Sequence, residues 1–593
     1  MDIKAKYDPL LFKFPKGVIV KNTNVKFHID YESEEKPKAV YFMLKSDEDA
    51  RYKYLEMTEN DGYEITQNFS NSGHFWYNFQ LVFEDKVLYL NKNYEYFSEL
   101  STDKGEDYLQ LVMEKEYECT NSLQGGIIYQ IYVDRFCRVG DVKERPPMIL
   151  RDDWGGKIKK NTTDPLIINI EAFGGNINGV ISKLDYLQKL GVTTIYLNPI
   201  SLANSNHKYD TSDYMKIDDM FGTEQEFKQL IDLAKAYGMN IIIDGVYNHT
   251  GSDSIYFNRS NTFNTVGAYN SRDSKYYEWY DFEDYPDKYR CWWGIDTLPS
   301  VNHHCESFQD YIAGKNGVLE KFLKLGIFGV RLDVVDEITD KFVQKIEKKV
   351  HEFGKDKVVM GEVWEDASTK IAYTSRRKYF AKNELNSVMN YPVKETVLDF
   401  VFNKQTTNLV STLRMLENNY PKVVKDNLMN FLTTHDTKRV FSELLKHCED
   451  DKETAFKLYK VASTLIFTLP GVPSIFYGDE YGMQDNDDSS RGCFDRENYK
   501  NEIYDWFLKL TKIRKFESLK DGEMNILYSD KSVFAYERYN DKERIVVVVN
   551  LSNRTLYLDL EGEYKSFITG KSTTSPAVAT NTVEILIEQN KNA

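Results

Sequence analysis

Three acidic residues stand where bond-breaking chemistry could use them: Asp333 in "GVRLDVVDE" (Gly329–Glu337), Glu362 in "GEVWE" (Gly361–Glu365) and Asp436 in "TTHDT" (Thr433–Thr437). A fourth, Asp244, opens "DGVYNH" (Asp244–His249), and Arg331, His249 and His435 accompany them. Side chains alternate along a strand, so Arg331 and Asp333 point to one face. A structural ion pair would account for that. So would a carboxylate that must stay ionised, because a guanidinium beside it lowers its pKa. Two carboxylates acting together suit cleavage of a glycosidic bond, one protonating the leaving oxygen and the other serving as nucleophile or base. Histidines suit donation to sugar hydroxyls. No P-loop, GxSxG or nicotinamide-binding fingerprint offers a competing chemistry.

These residues act together only if the chain gathers them. From "GGIIYQIYVDRF" (Gly125–Phe136) onward, apolar β-type runs alternate with amphipathic helical stretches. "VTTIYLNPI", "MNIIIDGVYNH", "FGVRLDVVDE" and "KVVMGEVWE" each follow a helical segment. With "IIYQIYVD", "LNSVMNYP", "LMNFLTTHD" and "GVPSIFYGDE" they make eight candidate strands. Near-continuous apolar strands joined by helical crossovers predict a parallel sheet covered on both faces. Eight such units predict an α/β fold of the (β/α)8 TIM-barrel type, whose active site forms at the C-terminal strand ends. The candidate residues fall at those ends: Asp244 and His249 after the third strand, Arg331 and Asp333 at the fourth, Glu362 at the fifth, His435 and Asp436 at the seventh. A doubly wound open sheet is the alternative, but no GxGxxG follows the first strand.

The longest gap between strands, 249–303, is rich in Tyr, Asp, Asn and Trp and predicts a subdomain inserted after strand 3, over the site. Its Trp292 and Trp293 would line sugar subsites or pack the subdomain core. Short alternating runs such as "VKFHI" and "FWYNFQLVF" predict an N-terminal β-sandwich over 1–120. The barrel then occupies 121–518, and a C-terminal β-sandwich 519–593.

The composition of the 593 residues, 41% hydrophobic and 28% charged, is globular and provides for several cores. A net charge of −16 argues against nucleic acid or an anionic membrane as partner. The six cysteines form no CxxC pair, no apolar run reaches membrane-spanning length, and "MDIKAKYDPLLFKF" lacks the pattern of a signal peptide. A reduced, cytoplasmic setting is the expectation. "NHHC" (Asn302–Cys305) lacks the spacing of a zinc site.

Taken in order, "DGVYNH", "GVRLDVVDE", "GEVWE" and "TTHDT", with "YQIYVDRF", "SNHKYDTSDY" and "GVPSIFYGDE", resemble the α-amylase superfamily of glycoside hydrolases, family 13. The resemblance spans about Tyr129 to Gly482 and looks most like the neopullulanase, cyclomaltodextrinase and maltogenic amylase group. It implies that Asp333 is the nucleophile, Glu362 the general acid/base and Asp436 the transition-state stabiliser. It further implies that Arg331 supports the nucleophile, that His249 and His435 contact sugar hydroxyls, that Tyr209 stacks under the sugar, that Asp244 orders Arg331, and that Trp364 walls the leaving-group side. Where the group often has "EIWH" this chain has "EVWE", so Glu365 replaces a histidine.

The chemistry implied requires no cofactor. A structural calcium ion is common among relatives; here Asp141, Gly174 and Asn176 are the donors at hand, a set poor in the carboxylates a hard cation favours. Expected partners are maltooligosaccharides, cyclodextrins or related α-glucans, with a homodimer through the N-terminal domain. The function implied is retaining hydrolysis of α-1,4-glucosidic bonds, extending to pullulan and to transglycosylation. The alternatives are a glucanotransferase or α-1,6-acting enzyme, or a silent glucan-binding relative, against which the complete Asp333, Glu362 and Asp436 set argues.

Overall fold

The computed structural model describes residues 3–118, 122–158, 169–486, 489–495 and 501–589. The expected domain boundary at 120/121 and Cys119 lie outside them. At the centre run eight parallel strands: β1 (Ile128–Ile131), β2 (Thr194–Leu197), β3 (Asn240–Gly245), β4 (Gly329–Leu332), β5 (Val358–Gly361), β6 (Ser387–Val388), β7 (Met429–Asn430) and β8 (Val472–Phe476). Each pairs with its sequence neighbour, β8 pairs back to β1, and a parallel bridge between Met389 and Met429 joins the β6 and β7 ends and closes the ring. This is the TIM barrel expected, with every candidate strand in place.

The strands close because they are apolar on both faces. All residues of β1, β2, β4 and β5 are buried. Helices cover the outer face with stripes at 3.6-residue spacing. Helix Glu224–Ala236 starts at a capping box between Thr223 and Glu226 and buries Phe227, Leu230, Ile231 and Ala234. Helix Asp340–His351 buries Phe342, Val343, Ile346 and Val350. Helix Val318–Leu325 stops at Gly326, whose φ of 110° lies in the left-handed region, and the chain turns directly into β4.

The inserted segment after β3 folds on an aromatic core of Tyr256, Phe257, Trp279 and Tyr280 and carries a small hairpin, Phe282–Asp284 with Lys288–Tyr289. A bridge between His249 and Ser300 pins it to the barrel mouth. Trp293 is 81% exposed, so it does not pack that core, while Trp292 lies against His249 at 5.3 Å. The N-terminal domain is a sandwich of five- and seven-stranded sheets around Phe27, Phe42, Tyr77 and Phe79. A six-stranded antiparallel sheet with an added two-stranded one forms the C-terminal domain. Among the described residues no helix is long and apolar enough to cross a membrane.

The connection from β5 to β6 is long and loops back beneath the N-terminal domain. Within it Glu384 is fully buried and accepts a hydrogen bond from Gln344 Nε2 at 2.7 Å. Burial, with Asp340 nearby, pushes its carboxyl up to about 8. The unfolded chain gives up this proton near 4.5, so the stability it confers is complete below that pH and is lost as pH rises towards 8. Glu384→Gln keeps the acceptor for Gln344 and cannot ionise. Thermal midpoints and denaturant titrations at pH 5 and pH 8.5 should show the variant gaining on the wild type by about 2–4 kcal/mol at the higher pH. A gap that stays constant with pH would refute the protonated state.

Candidate active site

Arg331 organises the barrel mouth. It lies on β4, is fully buried, and reaches three carboxylates at once. Its Nη1 lies 2.8 Å from Asp244 Oδ1 and 2.8 Å from Asp333 Oδ1, and its Nη2 lies 2.7 Å from Glu362 Oε2. Asp244 is on β3, Asp333 one residue past β4 and Glu362 one residue past β5. Three adjacent strands therefore deliver their acids to one guanidinium, whose planar fork suits several carboxylate oxygens at once.

Asp244 is enclosed. Its Oδ2 accepts from the hydroxyls of Tyr196 at 2.7 Å and Tyr209 at 2.9 Å. Glu362 uses both oxygens: Oε2 accepts the backbone N–H of Val334 at 2.8 Å, and Oε1 accepts the Trp364 indole at 2.9 Å. Val334, next to Asp333, has φ 41° and ψ 54°, a left-handed conformation that a β-branched residue rarely adopts. Such a residue costs about 1–3 kcal/mol and persists only where surroundings enforce it. Here it aims the N–H at Glu362.

One cation among three carboxylates leaves the cluster with excess negative charge. Burial pushes the Asp333 carboxyl well above its usual range; Arg331 opposes this, while Glu362 and Asp244 add to it. Asp244 is raised by burial in the same way. The expectation that Arg331 alone would depress Asp333 is thus corrected, because desolvation and two like charges outweigh one guanidinium. A proton in this cluster belongs to the coupled set rather than to one residue.

The segment after β7 supplies His435 and Asp436. Gln130 Nε2 and Asn198 Nδ2 lie 3.0 and 3.2 Å from His435 Nδ1, so that nitrogen is the acceptor and Nε2 carries the proton. From Nε2 the hydroxyl of Tyr209 is 2.6 Å away and Asp436 Oδ2 is 3.1 Å away. Burial and the cations Arg491 and Arg331 hold His435 well below its ordinary value, and burial takes His249 down to about 4. Both are therefore neutral donors or acceptors at neutral pH. His249 Nε2 donates to the Tyr209 carbonyl at 3.1 Å. The Tyr209 ring lies parallel to that of His435 at 5.4 Å. Asp436, 30% exposed at its side chain, also meets Arg491 Nη2 at 3.1 Å. Trp364 stacks on Tyr391 at 4.2 Å and leaves 47% of itself open.

All nine sequence-derived site residues thus join one connected network at one end of the barrel. Sequence reasoning missed Arg491, Asn198, Gln130 and Tyr196. Tyr196 and Asn198 at the C-terminal end of β2 could have been found by the same strand-end rule. Arg491, in the segment after β8, had no periodicity to flag it. Just past Asp333, Asp336 accepts from the Tyr379 hydroxyl at 2.8 Å, and Glu337 accepts from the Trp293 indole at 3.3 Å.

Of the three calcium donors named from the sequence, Asn176 is engaged elsewhere and Asp141 is exposed. Asn176 Oδ1 accepts the Gly179 N–H at 2.7 Å and its amide donates to the Val139 carbonyl at 2.8 Å, so it caps a helix. Asp141 is exposed, and among the described residues no group of three or more His, Cys, Asp or Glu side chains could hold a metal. This donor set does not fit a hard cation, which takes about six to eight oxygens.

Residues 130–566 match the alpha amylase catalytic domain family. An amylopullulanase of Thermoanaerobacterium saccharolyticum is 31% identical over 577 residues, covering 85% of this chain and 44% of that protein. A cyclomaltodextrinase of Thermoanaerobacter pseudethanolicus is 32% identical over 451 residues, covering 72% of this chain and 70% of its own length. A solved cyclomaltodextrinase structure shares the fold over 98% of this chain and 100% of that one, with a TM-score of 0.71 at 23% identity. The chain spans less than half the length of the amylopullulanases it matches. On the extent of the family match and the barrel that carries it, this chain belongs to the α-amylase family of glycoside hydrolases.

Proposed function

We propose that the protein is a retaining hydrolase of α-1,4-glucosidic bonds in maltooligosaccharides and cyclodextrins, acting through a β-glycosyl-enzyme intermediate. The observation that carries the reading is Arg331 holding Asp333 and Glu362 through its two terminal nitrogens, with Asp436 tied to the same network through His435 and Tyr209. Two carboxyls shared by one guanidinium favour the close spacing of a retaining pair, about 5–5.5 Å, over the wider gap that admits a water between them.

In the first step Asp333 attacks the anomeric carbon while Glu362 gives its proton to the glycosidic oxygen, and the leaving sugar departs with a free hydroxyl. In the second, Glu362 takes a proton from water, which attacks the same carbon and releases Asp333 as a carboxylate. A sugar hydroxyl in place of that water gives transglycosylation. In this reading His435 and Asp436 bond hydroxyls of the ring at the cleavage point, the sugar taking a share in the Nε2–H that Tyr209 and Asp436 now hold, and Tyr209 lies between His435 and Asp244. Relatives named cyclomaltodextrinase and neopullulanase support the substrate class. Those named amylopullulanase favour a second reading, in which pullulan is also cleaved.

Incubation with β-cyclodextrin, maltotriose, pullulan and soluble starch, followed by chromatography of the products, tests this. Maltose from cyclodextrin with slow attack on starch is the expected pattern. No turnover of any of the four by folded protein would refute the hydrolase reading, and panose or maltotriose from pullulan would establish the second.

A further inference from the structure

The loop leaving Glu362 runs past Trp364 and Glu365 and forms a small hairpin in which Ile371 pairs with Arg376 and Ala372 with Ser375. Its two turn residues, Tyr373 and Thr374, both have positive φ, 50° and 65°, the geometry of a tight two-residue hairpin turn built here without glycine. Something outside the hairpin must hold it. On one side the stem is held by the segment after the nucleophile: Lys370 pairs with Asp336 at 3.0 Å and with Glu365. At the tip, Tyr373 is 61% exposed and meets the Arg290 guanidinium of the inserted segment at 5.7 Å from its ring centre.

The other side is held by a different domain. Arg376 lies with Nε 2.9 Å from Asp47 Oδ2 and with its guanidinium 4.8 Å from the ring centre of Trp76, both in the N-terminal sandwich. Asp47 in turn accepts the Trp76 indole at 2.7 Å, and His74 Nε2 lies 2.9 Å from the Ser368 carbonyl in the same loop. Asp47, His74 and Trp76 thus make a socket for the base of the hairpin. Glu362, which in the reading above protonates the leaving oxygen, and Trp364 open this same loop.

We propose that the hairpin Ile371–Arg376 is the outer wall of the leaving-group side of the groove, and that Arg376, seated in the N-terminal domain, is a positioning residue for the sugars bound there. The inference rests on the hydrolase reading above and adds to it which part of the substrate the N-terminal domain governs. A loosened hairpin weakens the hold on sugars beyond the scissile bond and on an acceptor sugar, and leaves the reacting carboxylates untouched.

The test compares two substrates. Maltoheptaose needs the leaving-group side; α-maltosyl fluoride places only a fluoride there. For Arg376→Ala, and separately for Asp47→Asn, which unseats the same contact from the other domain, KM for maltoheptaose should rise about fivefold, and the share of transfer products should fall. Steady-state constants on maltosyl fluoride should stay within about twofold of wild type, the expected result for a group that touches only the leaving-group side. Equal loss on both substrates, or no change on either with thermal midpoints preserved, overturns the proposal. Wild-type protein inactive on both would instead refute the hydrolase reading, a result visible before any variant is made.

Discussion

Asp333→Asn is expected to lower turnover of β-cyclodextrin and maltooligosaccharides by roughly 10⁴-fold or more, the scale seen when a covalent nucleophile is removed. The fold should survive, and the reason lies in the surroundings. Asparagine has the same shape and can still offer its oxygen to Arg331 Nη1, now 2.8 Å from Asp333. It also removes a buried carboxyl that desolvation and the neighbours Glu362 and Asp244 already disfavour in its charged form. The variant should therefore melt at or above the wild-type temperature while losing its chemistry. Activity within about tenfold of wild type, measured on purified and folded protein, would show that another group attacks the anomeric carbon.

The second large effect concerns Glu362, where the substrate decides what is lost. Glu362→Gln is a poor probe here, because both carboxylate oxygens already accept donors, from Val334 on one side and Trp364 on the other. An amide would turn its NH₂ against one of them. Glu362→Ala avoids that conflict and opens space. On maltooligosaccharides, whose leaving alkoxide needs a proton, the variant should lose about 10²–10⁴-fold. On α-maltosyl fluoride, whose fluoride leaves unaided, formation of the glycosyl-enzyme should persist. Release then lacks a base, and added azide, which needs none, should attack the anomeric carbon, free the Asp333 carboxylate and yield α-maltosyl azide. Equal losses on both substrates, with no azide product, would remove the acid/base role from Glu362.

Much of this site was legible in the chain. The period-two rule placed Arg331 beside Asp333 even though β4 ends at Leu332, because the backbone stays extended long enough for the side chains to meet. Strand-end reading placed Asp244, Glu362, His435 and Asp436 at one mouth, because a closed barrel turns the C-terminal end of every strand the same way. The sign of the shift at Asp333 was not legible. Spacing revealed its cation, but burial and two further carboxylates depend on strands far apart in sequence. Arg491 was hidden because segments after strands have no period. Trp293 could be read as core or surface since composition does not distinguish an aromatic packed inside a subdomain from one standing 81% exposed beside it. The socket formed by Asp47, His74 and Trp76 was out of reach, because it joins residues roughly three hundred positions apart in two domains that the sequence presents as independent.

Val334 ties two strand ends together at the level of the main chain. Its peptide begins at the Cα of Asp333 and ends in the N–H that Glu362 accepts, so the backbone just past β4 and the carboxylate just past β5 are joined through one planar amide. The Asp333 side chain keeps its own rotations, while Glu362 is held by a donor that cannot turn without the chain. A substitution that relaxes the left-handed backbone at Val334 should therefore disturb Glu362 before it disturbs Asp333.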